Sequence, residues 1–121
     1  MQIKNLEVAG IVAALGDLIQ VKMPLKTGLK LRKIARIVEQ QAKDIEAERQ
    51  KLLDEYAERD AEGARIVVEG AVKVDPEFFL KLDELLDLEF EVPEPILVSE
   101  LTGAGDLAPA VLIGLGALLV E

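Results

Sequence analysis

The sequence predicts an α+β fold: a helical hairpin built on one long helix, a small antiparallel β-sheet, and two further helices. Three observations carry this. Between Pro24 and Tyr56, Leu31, Val38, Ile45 and Leu52 recur every seven residues, with Ala35, Ala42, Arg49 and Tyr56 four positions on each time. That is the seam of an amphipathic helix of the coiled-coil kind. Two β-branched runs, Arg65-Ile-Val-Val-Glu69 and Ala71-Val-Lys-Val74, flank Glu69-Gly70 in the manner of a tight hairpin. After Asp75-Pro76, the residues Phe78, Phe79, Leu82, Leu85 and Leu86 repeat at helical spacing.

The elements follow in chain order. Residues 2–4 suit a short strand, and Asn5 is placed to cap a first helix over about residues 6–21. Leu6, Ala9, Val12, Ala13, Leu15 and Ile19, with Gly10 and Gly16, make that helix apolar on more than one face, so it is expected in the core or against another subunit. Met23-Pro24 breaks it, and Pro24 with Thr27 opens the long helix. Two helices joined by so short a turn pack as an antiparallel hairpin over about residues 6–57, the first covering the Leu31/Val38 half of the second. Glu58 to Gly63 reads as the helix end, with Gly63 as a left-handed cap. The β-hairpin spans about 65–74 and needs a partner, since two strands alone are marginal in water. Another strand, residues 2–4 or 89–92, or a second copy is its expected partner. Asp75 and Pro76 cap and start a helix over about 76–88. Pro93 and Pro95 bracket a connector in which Ile96–Val98 is expected to extend, and Asp106 caps a final apolar helix over about 107–120.

At 121 residues the chain suits a single domain. Half the residues are apolar but the aromatics are only Tyr56, Phe78, Phe79 and Phe90, so the core is aliphatic. The lack of Cys and His excludes disulfides, thiolate chemistry, zinc-finger ligand sets and histidine-based acid–base catalysis. Ser99, Thr27 and Thr102, the hydroxyl residues besides Tyr56, form no nucleophile pattern. No catalytic residue, metal site or cofactor is therefore expected. A single Asn and abundant Glu, Arg, Ala and Leu fit a thermophilic host. No segment reaches the ~20 apolar residues of a spanning helix. Lys4 ahead of Val8–Leu15 makes too short a run for a signal sequence. No membrane association is expected.

Charge is distributed unevenly. The net charge of −9 argues against a general nucleic-acid binder. Yet Lys22, Lys26, Lys30, Arg32, Lys33 and Arg36 cluster with no acidic residue between Asp17 and Glu39, and after Lys81 no basic residue follows. Cations at a helix start oppose its dipole by roughly 0.3–1 kcal/mol each. Stability alone does not select such an order. Two readings follow: the basic face pairs with the acidic remainder of this chain or of a neighbouring copy, or Lys26, Lys30, Arg32, Lys33 and Arg36 hold an external anion at the helix start. Asp83, Glu84 and Asp87 place carboxylates one turn apart, which suits a solvated helix face better than a cation site. Gly103-Ala-Gly105 suits a connector better than a phosphate turn. Arg49, on the seam, either snorkels or forms a buried ion pair.

Several stretches carry a family resemblance: Lys22-Met-Pro-Leu-Lys26, Glu48-Arg-Gln-Lys-Leu-Leu-Asp-Glu-Tyr56, Asp60-Ala-Glu-Gly63, Pro76-Glu-Phe-Phe-Leu80, Glu84-Leu-Leu86 and Ile96-Leu-Val-Ser-Glu-Leu101. Over residues 20–101 the chain resembles small proteins of unknown function encoded by tailed bacteriophages and prophages. The resemblance implies a phage origin and a place in the host cytoplasm or the virion. The expected role is a non-enzymatic, self-associating virion component or assembly factor, with Leu31, Val38, Ile45, Leu52, Leu112 and Leu115 in the oligomer interface. Other phage or host proteins are further expected partners. The alternative is an anti-defence or host-factor binder that holds a nucleotide or nucleic acid at the basic patch.

Overall fold

The computed structural model describes residues 1–101, 107 and 109–121. Its spine is α2, Leu25–Tyr56, whose 32 residues extend about 48 Å at 1.5 Å per residue. The heptad seam faces inward along its first half, where Leu31, Ile34, Ala35 and Val38 are buried. Against them lies α1, Val8–Ile19, through Val8, Ile11, Ala14, Leu15 and Leu18. The predicted hairpin is thus present, and α1 covers the half of α2 expected.

The second apolar face of α1 is covered within the chain. Helix α5, Pro109–Leu115, packs along it. Small residues permit a close approach: a Cβ on Gly114 would lie 3.0 Å from the Ala14 Cβ and 3.2 Å from the Gly10 carbonyl oxygen. Leu115, expected in an oligomer interface, is fully buried in this core, as are Leu31 and Val38. These three are therefore in-chain core residues. Leu112 is 38% exposed, and Ile45 and Leu52 are half-buried.

The last helix is shorter than predicted. At Gly116 the backbone turns to φ +53, residues Gly116–Leu118 tighten into a 3₁₀ turn, and Glu7 accepts the Ala117 N–H at 3.2 Å. The chain then extends as β6, Leu119–Val120, parallel to β5, Ile96–Leu97. A short helical turn, α4, Val98–Leu101, follows β5. Asp106 and Gly103-Ala-Gly105 lie outside the described residues.

At the other end, β1, Gln2–Lys4, pairs antiparallel with β4, Glu89–Glu91, placing Ile3 opposite Phe90. Ile3 is buried between exposed Gln2 and Lys4, the alternation of a half-buried strand. Asn5 does not cap α1. Residues Asn5–Glu7 form a 3₁₀ turn, and the Asn5 side chain is buried with both ends satisfied. Its Nδ2 donates to the Leu85 carbonyl at 2.8 Å, and its Oδ1 accepts from Gln41 Nε2 at 2.8 Å. Its backbone N–H donates to the Leu88 carbonyl. Asn5 therefore joins the first strand, α2 and α3, Glu77–Asp87. Asp75 supports the start of α3, accepting the Glu77 N–H at 2.9 Å.

Helix α2 ends at Tyr56, before Gly63, because Ala57 turns into extended backbone. Gly63, at φ +83, serves a turn instead, in which Asp60 accepts the N–H groups of Glu62 and Ala64. Strands β2, Val67–Val68, and β3, Ala71–Val72, form the predicted hairpin around Glu69 and Gly70, both at positive φ as a type I′ turn requires. The hairpin does not join β1 or β4, which pair with each other. It bonds to the chain leaving α2 through Glu58 N–H to Lys73 O, Ile66 N–H to Glu58 O and Asp75 N–H to Tyr56 O. Arg65 also pairs with Asp54.

Two outcomes check this packing. Leu31→Ala is expected to cost about 2–5 kcal/mol, whereas Leu29→Ala, on the opposite, exposed side of α2, stays within about 0.5 kcal/mol. The midpoint of urea unfolding at constant slope reads both. Asn5→Ala leaves buried polar partners behind and is expected to cost about 1–3 kcal/mol, seen as a lower melting temperature.

Candidate interaction site on the first half of the long helix

Helix α2 starts without a side-chain cap: Pro24 sits in extended backbone and its carbonyl accepts the Gly28 N–H at 3.0 Å. With Leu31, Ile34, Ala35 and Val38 turned inward, the 100° step per residue turns Leu29, Lys33 and Arg36 outward. Lys26, Lys30 and Lys33 form one row, at spacings of four and three. Leu25, Leu29, Arg32 and Arg36 form the adjacent row.

Lys30 differs from the other cations. Its Nζ lies 2.6 Å from Glu100 Oε1 and 3.9 Å from Glu94 Oε2. Glu100 also accepts the Leu97 N–H at 3.0 Å. The Lys30 bond, helped by the Leu97 N–H and opposed by burial, holds the Glu100 carboxyl below the usual carboxylate range. Of the two expectations for the basic face, Lys30 follows pairing within its own chain: it braces α2 to the Pro93–Leu101 segment. Among the described residues, this is where the basic face pairs with the acidic remainder of its own chain.

Lys26, Arg32, Lys33 and Arg36 are exposed, and among the described residues none forms an ion pair within 4.0 Å. Next to them, at the elbow between α1 and α2, is an open cavity of about 220 Å³. Ile19, Met23, Leu25 and Leu29 give it apolar walls, and Lys22 and Arg32 give it cationic edges. Leu25 and Leu29 are 79% and 57% exposed. The site thus combines apolar surface with cations that, among the described residues, form no ion pair.

A second apolar and charged face lies on α3. Phe78 turns inward, but Phe79 and Leu80 are 58% and 64% exposed. Phe79 was expected in the buried stripe. At 100° per residue it falls well round the helix from Phe78, and the two rings meet edge to face with centroids 5.4 Å apart. Asp83, Glu84 and Asp87 are exposed on the same side. Asp87 accepts from Lys4 at 2.9 Å and Glu84 lies 3.6 Å from Lys81. Among the described residues, no group of three or more acidic, His or Cys side chains is placed to hold a metal ion. Arg49 snorkels to a surface pair with Glu46, which together with Gln50 holds that carboxyl down to about 2.

The Lys30–Glu100 brace carries a pH signature. Because the folded-state pKa of Glu100 is lowered, its contribution is present above the unfolded carboxylate value of about 4.3 and is lost as pH falls through the lowered folded value. Lys30→Ala is expected to melt below the unsubstituted protein near pH ~7, with the difference closing below about pH 4. Thermal unfolding across that range measures it.

No protein-family model, curated protein or solved structure matches the chain.

Proposed function

We propose that this protein is a non-enzymatic, self-associating assembly protein of phage origin, a virion component or assembly factor that acts by binding further copies of itself. The observation that carries the reading is the outer face of α2, where Leu25 and Leu29 stand exposed beside Arg32, Lys33 and Arg36, cations without an in-chain ion pair among the described residues. Helices present apolar and unpaired charged surface together at docking faces. The acidic residues 83–94 supply the opposite sign elsewhere on the same chain. Non-enzymatic action is supported by the absence of His and Cys and of any nucleophile pattern. The phage assignment rests on the motif resemblance over residues 20–101. No described helix is long and apolar enough to cross a membrane.

A second reading is favoured by the elbow cavity. Its apolar walls and the cations Lys22 and Arg32 suit an anion with an apolar part, such as a nucleotide held by an anti-defence or host-factor binder.

Light scattering at ~100 μM separates the readings. Self-association through charge predicts an oligomer that Arg32→Glu with Arg36→Glu dissociates, and that salt near ~1 M weakens. Anion capture predicts a monomer whose melting temperature rises with added nucleotide, an effect the same substitutions abolish. A monomer unaffected by nucleotide would remove both.

A further inference from the structure

The exposed strips of α2 and α3 share a register. On α2, Leu29 is followed by Arg32, Lys33 and Arg36; on α3, Leu80 is followed by Asp83, Glu84 and Asp87. The spacing is three, four and seven in both, so each strip is an apolar residue with three charges winding round the same side of a helix. The charges are of opposite sign at every step. All eight residues are exposed.

We infer that α2 of one copy packs parallel to α3 of a second copy, with Leu29 on Leu80, Arg32 facing Glu84, Lys33 facing Asp83 and Arg36 facing Asp87. The inference rests on the self-association reading and names its contact. Parallel packing matches four levels over about 10 Å of helix. The antiparallel order instead brings the leucine of each strip against the charges of the other. The apolar ends fit as well: the elbow cavity of about 220 Å³ opens beside Leu29, and exposed Phe79 stands beside Leu80. Within one chain α3 turns its Phe78 face inward and both strips stay open to solvent, so their union needs another copy. Glu84 lies 3.6 Å from Lys81, within reach of a competing partner, and Lys4 engages Asp87 through Oδ1. The second Asp87 oxygen remains for Arg36.

The lack of cysteine allows a direct test. Leu29→Cys and Leu80→Cys are made separately, mixed and oxidised. A disulfide-linked heterodimer is expected from the mixture and no link from either variant alone, since a disulfide needs Cβ atoms about 3.5–4.5 Å apart. Charge exchange gives an independent reading. Arg32→Glu with Arg36→Glu places like charges in the contact, as does Glu84→Arg with Asp87→Arg, so each double variant alone is expected to be monomeric. Their 1:1 mixture restores opposite charges in both directions and is expected to associate. An unsubstituted protein that associates while the cysteine mixture stays unlinked and both double variants still associate overturns this register but leaves self-association standing. Linkage of Leu29→Cys to itself likewise overturns it. An unsubstituted protein that is monomeric at ~100 μM removes both.

Discussion

A helix of about 48 Å is longer than any one partner in so short a chain can cover, and the remaining elements are arranged by that constraint. The first half of α2 is covered by α1, which is in turn covered by α5. The second half meets α3, and the ribbon after Tyr56 folds back against its end. The core therefore concentrates in the layers α2, α1 and α5, where nearly all fully buried side chains are aliphatic. Close packing of this kind requires small residues where backbones approach, and Gly10, Ala14 and Gly114 meet that need.

Two polar joints hold these layers in relation. Asn5 ties the first strand to α2 and α3 with a side chain that is buried yet satisfied at both ends. A buried amide with all its partners imposes direction where aliphatic packing imposes only proximity. Lys30 and Glu100 do the same for the Pro93–Leu101 segment, at the margin of solvent. Spending Lys30 internally divides the basic cluster into one structural cation and a set turned outward.

The charge order then acquires a physical account. Cations at a helix start are unfavourable for the helix itself, and among the described residues folding gives Lys30 the Glu100 carboxylate. The rest share their face with exposed leucines, a combination that costs solubility unless something covers it. Under the proposed self-association another copy covers them, and electrostatic complementarity of this kind sets register and orientation more than it adds affinity.

Periodicity alone determined the long helix, the α1–α2 hairpin, the Glu69-Gly70 turn and α3, because each is a local pattern: a heptad, a residue pair of positive φ, a cap and a stripe. Composition alone excluded histidine and thiol chemistry. What the tertiary structure decided was everything set by residues distant in sequence. Asn5 looks like a cap until Leu85 and Gln41 stand beside it. Leu31, Val38 and Leu115 suit an interface equally well until α1 and its neighbours cover them within one chain. Phe79 belongs to an apolar stripe by spacing, yet it stands 58% exposed where Phe78 is buried. The exposed Leu25 and Leu29 were legible in principle, since they lie opposite the seam. That they border a cavity depends on where α1 ends. A pattern one residue wide says which side of a helix is apolar; only the packed chain says which apolar side remains uncovered.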